Sequence, residues 1–259
     1  MGDRRRGEII AVCGKGGVGK TAITAMMTKL LVGRGDLKIL AIDADPAVGL
    51  ASALGVEVKK TINDIRDDLI DTVKEGKRGD KYEMAAMLDY EVFKALEEGS
   101  NFAFLAIGRP ESAGCYCQVN SLLKEVIESL SKSFDVVLID GEAGIEQINR
   151  RVMRSVDDLL LISDTSAKGI NVVSSIKRLV ENEKAVECER MGLVINRARN
   201  KEEVDEIVAN SSLNLLEWVP EDDMVREYDF NGKPIIDLSD TSPSIIAARR
   251  ILKTLGMLA

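Results

Sequence analysis

Apolar residues along this chain gather in short runs, and between the runs they recur every three or four positions. The runs are "EIIAVC" (8–13), "KILAID" (38–43), "FAFLAIG" (102–108), "FDVVLID" (134–140), "DLLLIS" (158–163), "MGLVIN" (191–196) and "LLEWVP" (215–220). Each is compact and is closed by a polar residue, Gly or Pro, which reads as a strand buried on both faces of a parallel sheet. Helical spacing covers 19–33, 120–132, 167–183, 199–211 and 244–257. Strand–helix alternation of this kind predicts right-handed crossovers. The fold class is therefore α/β, a doubly wound, mostly parallel sheet flanked by helices. No repeat, low-complexity linker or break divides the chain, so 1–259 is expected to form a single domain. The stretch 56–100 is richer in charge and reads as a helical insertion over the sheet.

Composition narrows the partners. Hydrophobic residues are 45% and charged residues 30% of the chain, enough for a full core. The net charge of -8 argues against affinity built on phosphate-backbone neutralisation, so no nucleic-acid partner is expected. No apolar run approaches a membrane span, and no membrane partner is expected. The start, "MGDRRRGEIIAVCGKGG", moves from three arginines straight into a short strand, which is not a signal-peptide pattern. The expected compartment is the cytoplasm, where the four cysteines stay reduced.

The first strand leads into "GKGGVGKT", which fits G-x-x-x-x-G-K-[ST] with a strand before it and a helix after it. Gly14, Lys15, Gly16, Gly17, Val18, Gly19, Lys20, Thr21 and Ala22 form the expected nucleotide cradle. Its glycines let backbone N–H groups converge on phosphate oxygens, and the helix N-terminus adds a favourable dipole. Lys20 is expected to reach the β- and γ-phosphates, and the Thr21 hydroxyl to ligate Mg²⁺. "FDVVLIDGEAG" ends an apolar strand in Asp140, a carboxylate placed to hold Mg²⁺ near the phosphates. Lys15 sits too early to address its own γ-phosphate from the helix end. It has the reach to meet a nucleotide in a facing subunit, in the manner of an arginine finger.

The second lysine makes the loop resemble the deviant P-loop, K-G-G-x-G-K-[ST], of the MinD/ParA/nitrogenase-iron-protein class. That resemblance implies an ATPase in which two subunits sandwich two ATP molecules. It places the water-orienting aspartate in "DADPAVGL" at Asp45, with Asp43 in the Mg²⁺ shell. It makes 140–151 a nucleotide-sensing switch. It assigns the adenine to the Asn196 side chain and to Pro220, Glu221 and Asp222. The N-K-x-D guanine signature is absent, in keeping with ATP and ADP as ligands. Local readings stand beside these: an N-cap or charged turn for Asp45, and a turn former for Asn196.

"GCYC", with Cys115 and Cys117, raises a separate question. A disulfide between residues two apart is strained, and a reducing compartment opposes it. Buried cysteines are common, but Gly114 and the turn-rich "IGRPESAG" before it point to an exposed loop. Two thiolates in such a loop converge on one metal without filling a four-coordinate site. A twofold axis supplies two more, giving a Cys₄ cage between subunits. The chain has no histidine, so thiolates are its only anionic soft ligands. Together with "DGEAGIEQINRR" (140–151), this stretch resembles the CooC family and its sibling AcsF. Those ATPases help insert nickel into carbon monoxide dehydrogenase and acetyl-CoA synthase. Gln147 stands where that family often has histidine. The resemblance implies a homodimer carrying Ni²⁺, with Zn²⁺ also able to occupy a thiolate site, and a nickel enzyme as client. Cys13 and Cys188 read as small apolar residues. Two alternatives remain. One is a MinD/ParA-type positioning ATPase with 243–259 as an amphipathic tail; the other is an iron–sulfur reductase, though "DGEAG" lacks a second cluster cysteine.

Overall fold

A computed structural model of the chain describes residues 7–74, 81–109, 117–141, 152, 154–184 and 186–258. The strands among them are β1 Glu8–Gly14, β2 Ile39–Asp43, β3 Glu97–Glu98, β4 Ala103–Ala106, β5 Val136–Asp140, β6 Ser155–Ser163, β7 Glu187–Ala198 and β8 Leu215–Pro220. They form one sheet in the order β3-β4-β2-β5-β1-β6-β7-β8. Every neighbouring pair is parallel except β3 with β4. The helices are α1 Lys20–Val32, α2 Gly49–Leu54, α3 Ile62–Lys74, α4 Lys81–Lys94, α5 Cys117–Ser131, α6 Ala167–Glu183, α7 Lys201–Ala209, α8 Asp223–Phe230 and α9 Pro243–Thr254. A 3₁₀ turn lies at Ile235–Asp237. All seven strands read from the apolar runs are present, and the doubly wound architecture holds. The two-residue β3 is too short to show a period. Helix α8 escapes the periodicity because it is short and none of its residues is fully buried; only Met224, Val225 and Tyr228 pack partly against the core.

The sheet divides two apolar layers, and strand periodicity sorts residues between them. Ile9, Ala11 and Cys13 of β1 join the layer that includes Leu123 and Ile127 of α5 and Val173 and Ile176 of α6. Ile10 and Val12 join the layer under α1 and α9. Between 56 and 100, Ile62, Ile65 and Leu69 of α3 and Leu88 and Val92 of α4 pack into the α5 side. Helix α9 starts at Ser242, whose hydroxyl accepts from the Ile245 N–H, and Pro243 occupies its first turn. Its apolar stripe, Ile245, Ala248, Ile251 and Leu252, is buried in the α1 layer. The segment considered as a membrane tail therefore faces the core. Among the described residues no helix is long and apolar enough to cross a membrane.

The order in which strands are added reverses at β1. Its crossover through α1 leads to β2 on one side, while β6 lies on the other. Loops from β1, β2 and β5 consequently meet at the carboxyl edge, where doubly wound sheets place ligands. Three backbone bonds run across this edge beyond the strands. Gly141 N donates to Val12 O (2.9 Å), Ala44 N to Asp140 O (2.9 Å), and Ile107 N to Asp43 O (2.8 Å).

Candidate functional site

The loop leaving β1 is shaped by close approaches. A Cβ on Gly14 would lie 2.0 Å from the Ile162 carbonyl oxygen. Gly19 has φ 93°, and a Cβ there would lie 2.3 Å from Asn196 Nδ2. Both positions therefore demand glycine. Gly19 also caps α1 without a side-chain bond. The first N–H groups of α1 are thus left for a ligand at the positive end of the helix. Lys20 is buried, and its Nζ donates to Lys15 O at 3.3 Å. No carboxylate pairs with Lys15 among the described residues.

Next to this loop the Thr21 hydroxyl donates to Asp140 Oδ2 at 2.6 Å. The other oxygen, Asp140 Oδ1, is buried and has no hydrogen-bond partner among the described residues. Burial pushes the Asp140 carboxyl up to about 7; the Thr21 bond pulls it down, and the nearby Asp43 charge adds to the rise. Asp43 is also fully buried, but its oxygens are engaged. Oδ1 accepts from Asp45 N (3.0 Å) and Oδ2 from Leu50 N (2.8 Å). Burial raises Asp43 to about 6 against those backbone donors. A divalent cation fits this set. One carboxylate oxygen keeps an open hydrogen-bonding position although the Lys20 charge is near, and a threonine that donates its proton to Asp140 keeps its lone pairs for a metal. Asp43 belongs behind that position, holding the β2–α2 turn. Asp45 stands at the edge, with its Oδ1 accepting from Ala47 N at 2.9 Å.

Lys20, Thr21 and Asp45 line a cavity of about 670 Å³ together with Asn196, Arg197, Pro220, Glu221 and Asp222. That volume is within the range of small-molecule sites. The Asn196 amide is largely engaged in holding the loop. Its Nδ2 donates to Val18 O (2.7 Å), and its Oδ1 accepts from Arg197 N (3.0 Å). One amide proton remains for a ligand. Asp222 caps α8 through Met224 N (2.9 Å) and accepts from the Ser242 hydroxyl (2.5 Å) and Ser244 N (3.0 Å). Burial opposes its ionisation, but these donors outweigh it and hold the carboxyl below the usual range. It is thus tied to the start of α9, whereas the Glu221 side chain makes no such bonds among the described residues. Sequence reasoning missed Arg197, and it missed Arg226 and Asp229 of α8, which also line the cavity. The last two fall at i+4 and i+7 from Asp222, a face legible only once α8 is known to be a helix.

Cys115 lies outside the described residues, as do 142–151 with Gln147. Cys117 opens α5, which follows β4 and precedes β5. A helix between parallel strands starts at their carboxyl edge, so Cys117 is on the same edge as the phosphate loop. Among the described residues no three Cys, Asp or Glu side chains are grouped as a metal site. Cys13 is fully buried, and burial pushes its thiol up to about 12. Cys188 is half-buried, with its thiol also raised by burial. Both are held as thiols.

The model of the CobQ/CobB/MinD/ParA nucleotide binding domain matches residues 9–235. An uncharacterized ATP-binding protein of Methanocaldococcus jannaschii is 38% identical, over 90% of this chain and 92% of its own length. The carbon monoxide dehydrogenase accessory protein CooC of Rhodospirillum rubrum is 27% identical, over 92% of this chain and 95% of its own. Among solved structures, the cell division ATPase MinD of Pyrococcus furiosus superposes with a TM-score of 0.67 at 26% identity, over 98% of this chain and 100% of its own.

Proposed function

We propose that this chain, which belongs to the CobQ/CobB/MinD/ParA family of P-loop ATPases, is an ATP-driven metallochaperone. Its cargo is Ni²⁺, held by Cys115 and Cys117 of two subunits and passed to a client of the carbon monoxide dehydrogenase or acetyl-CoA synthase kind. The observation that carries this reading is the thiolate pair of "GCYC" in a chain without histidine. The likeness to CooC supports it, and the position of Cys117 at the phosphate-loop edge agrees with it.

In this reading the loop N–H groups and Lys20 hold the β- and γ-phosphates of ATP. Asp45 orients the attacking water. Lys15 reaches across a twofold axis to the γ-phosphate of the other subunit, so ATP closes the dimer. Thr21 and Asp140, backed by Asp43, would hold Mg²⁺, whose charge would offset that of the phosphate oxygens. Closure brings the two cysteine loops together, and hydrolysis releases the 140–151 switch. A route for coupling is available in the edge bonds from Val12 through Asp140 and Asp43 to Ile107. Asn63 of α3 extends that route by donating to Ile107 O (2.9 Å) and Gly108 O (2.8 Å), just before the cysteine segment. ATP and nickel should then strengthen each other's binding, because linkage is reciprocal.

The deciding measurement is nickel bound per dimer after gel filtration, with and without ATP, for wild type and Cys115→Ser. The reading expects nickel to rise with ATP and to be lost in the serine variant. Full nickel binding by Cys115→Ser removes the metallochaperone reading. A second reading, a positioning ATPase, is favoured by the likeness to MinD. ATP-dependent binding to anionic liposomes would support it in place of the first.

A further inference from the structure

We infer that Arg197 is a positioning residue of the phosphate loop: it turns the Gly17–Val18 peptide so that the Val18 N–H faces the phosphates. The inference rests on the nucleotide reading of the loop and adds a residue to it. Three observations converge. First, the Arg197 Nη1 donates to Gly17 O at 3.1 Å, directly beside the Asn196 bond to Val18 O at 2.7 Å. Two successive residues at the end of β7 thus hold two successive carbonyls of the loop. Second, Arg197 is the extra residue of a β-bulge, since Asn196 pairs with Val219 and Ala198 with Pro220. Its backbone is left-handed, at φ 60°, a conformation that costs an arginine free energy. Bulges beside sites re-aim a side chain, and this one aims a guanidinium onto the loop. Third, the described residues place no carboxylate in a salt bridge with that guanidinium, although it lines the cavity.

The described chain has no cis peptide, so each C=O points opposite the N–H of the same peptide unit. A donor that captures Gly17 O from one side therefore presents the Val18 N–H to the other, and Asn196 does the same for Gly19 N–H through Val18 O. Glycine at 17, with φ 82°, resists neither orientation. Without the guanidinium the Gly17 peptide is free to rotate, and each phosphate it should meet must first order it.

The test is calorimetric binding of ADP and AMP to the whole protein. Arg197→Gly removes the guanidinium while suiting the left-handed backbone, so its melting temperature should stay within a few degrees of wild type. Its ADP affinity should fall about tenfold, the effect of one lost charged hydrogen bond, with AMP nearly unchanged because the cradle serves the β-phosphate. Arg197→Lys keeps one donor and should recover most of the loss. Wild-type ADP affinity in Arg197→Gly overturns the inference. So does an equal loss for AMP and ADP, or an equal loss in the lysine variant; the lysine variant also decides should the glycine variant fold poorly. Lys20→Ala separates the two levels. If it binds ADP normally, the nucleotide reading fails; if it loses ADP while Arg197→Gly keeps it, only this inference fails.

Discussion

Asp140 and Asp158 are both strand carboxylates in this sheet, and each is 1% exposed. Their surroundings are opposite. Asp158 meets Arg190 through two bonds of 2.7 Å, to Nε and Nη2, a bidentate pair that supplies its counter-charge. Arg190 also binds Glu8 Oε1 at 2.6 Å, closing a small network towards the amino edge. Asp140, at the carboxyl edge, has one hydroxyl donor and one buried oxygen with no partner among the described residues. Burying a charge is costly unless it is compensated. One carboxylate is paired directly with a guanidinium, while the other keeps an open oxygen among the described residues. Burial alone therefore does not separate a structural aspartate from a candidate ligand-binding one; the open hydrogen-bonding position does.

The contrast is sharpest in activity. Asp140→Asn should lower ATP hydrolysis by roughly 10²–10³-fold, the scale seen when a placed electrostatic group is removed from a site; phosphate release would measure it. Asp158→Asn should leave turnover near wild type, and a comparable loss there would erase the distinction.

Stability should move in the reverse sense. Asp140 ionises at about 7 in the fold, against about 4 in an unfolded chain. Between those values the folded state binds the proton more tightly, so this group favours folding at low pH. That contribution is lost as pH rises through 7. Asparagine does not titrate. In EDTA and without nucleotide, Asp140→Asn should therefore be more stable than wild type at pH 8, by roughly 2–4 kcal/mol. The gap should close towards pH 4. Urea melts across that range would show it, and a gap independent of pH would mean that ionisation of the buried carboxyl is not its source.

Smaller effects test the paired carboxylate. Asp158→Asn should cost about 1–3 kcal/mol, less than a fully buried pair, because the Arg190 side chain is 52% exposed and keeps access to water. Glu8→Gln should change stability by no more than about 0.5 kcal/mol, as expected for the partly exposed member of the network. A larger loss from Glu8 than from Asp158 would mean that the network is anchored at the wrong residue.

Much of this molecule is determined by local pattern. The strands followed from short apolar runs, and the phosphate loop followed from glycine spacing between strand and helix. Both depend on interactions within a few residues, which a linear sequence displays directly. Asp140 was legible for the same reason, as the polar end of an apolar strand. Position alone did not show that one of its oxygens would be orphaned, or that Asp43 would be engaged by Leu50 and Asp45. Nor did it show that the Asn196 amide would hold Val18, or that Asp222 would bind Ser242 and Ser244. Those last bonds join residues 20 to almost 180 positions apart. Arg197 is the extreme case, since its aim depends on a bulge that exists only when β7 pairs with β8. Sequence set which groups were present at the edge. Tertiary structure decided which of their hydrogen-bonding positions were already taken, because that depends on chain segments brought together only by the folded sheet.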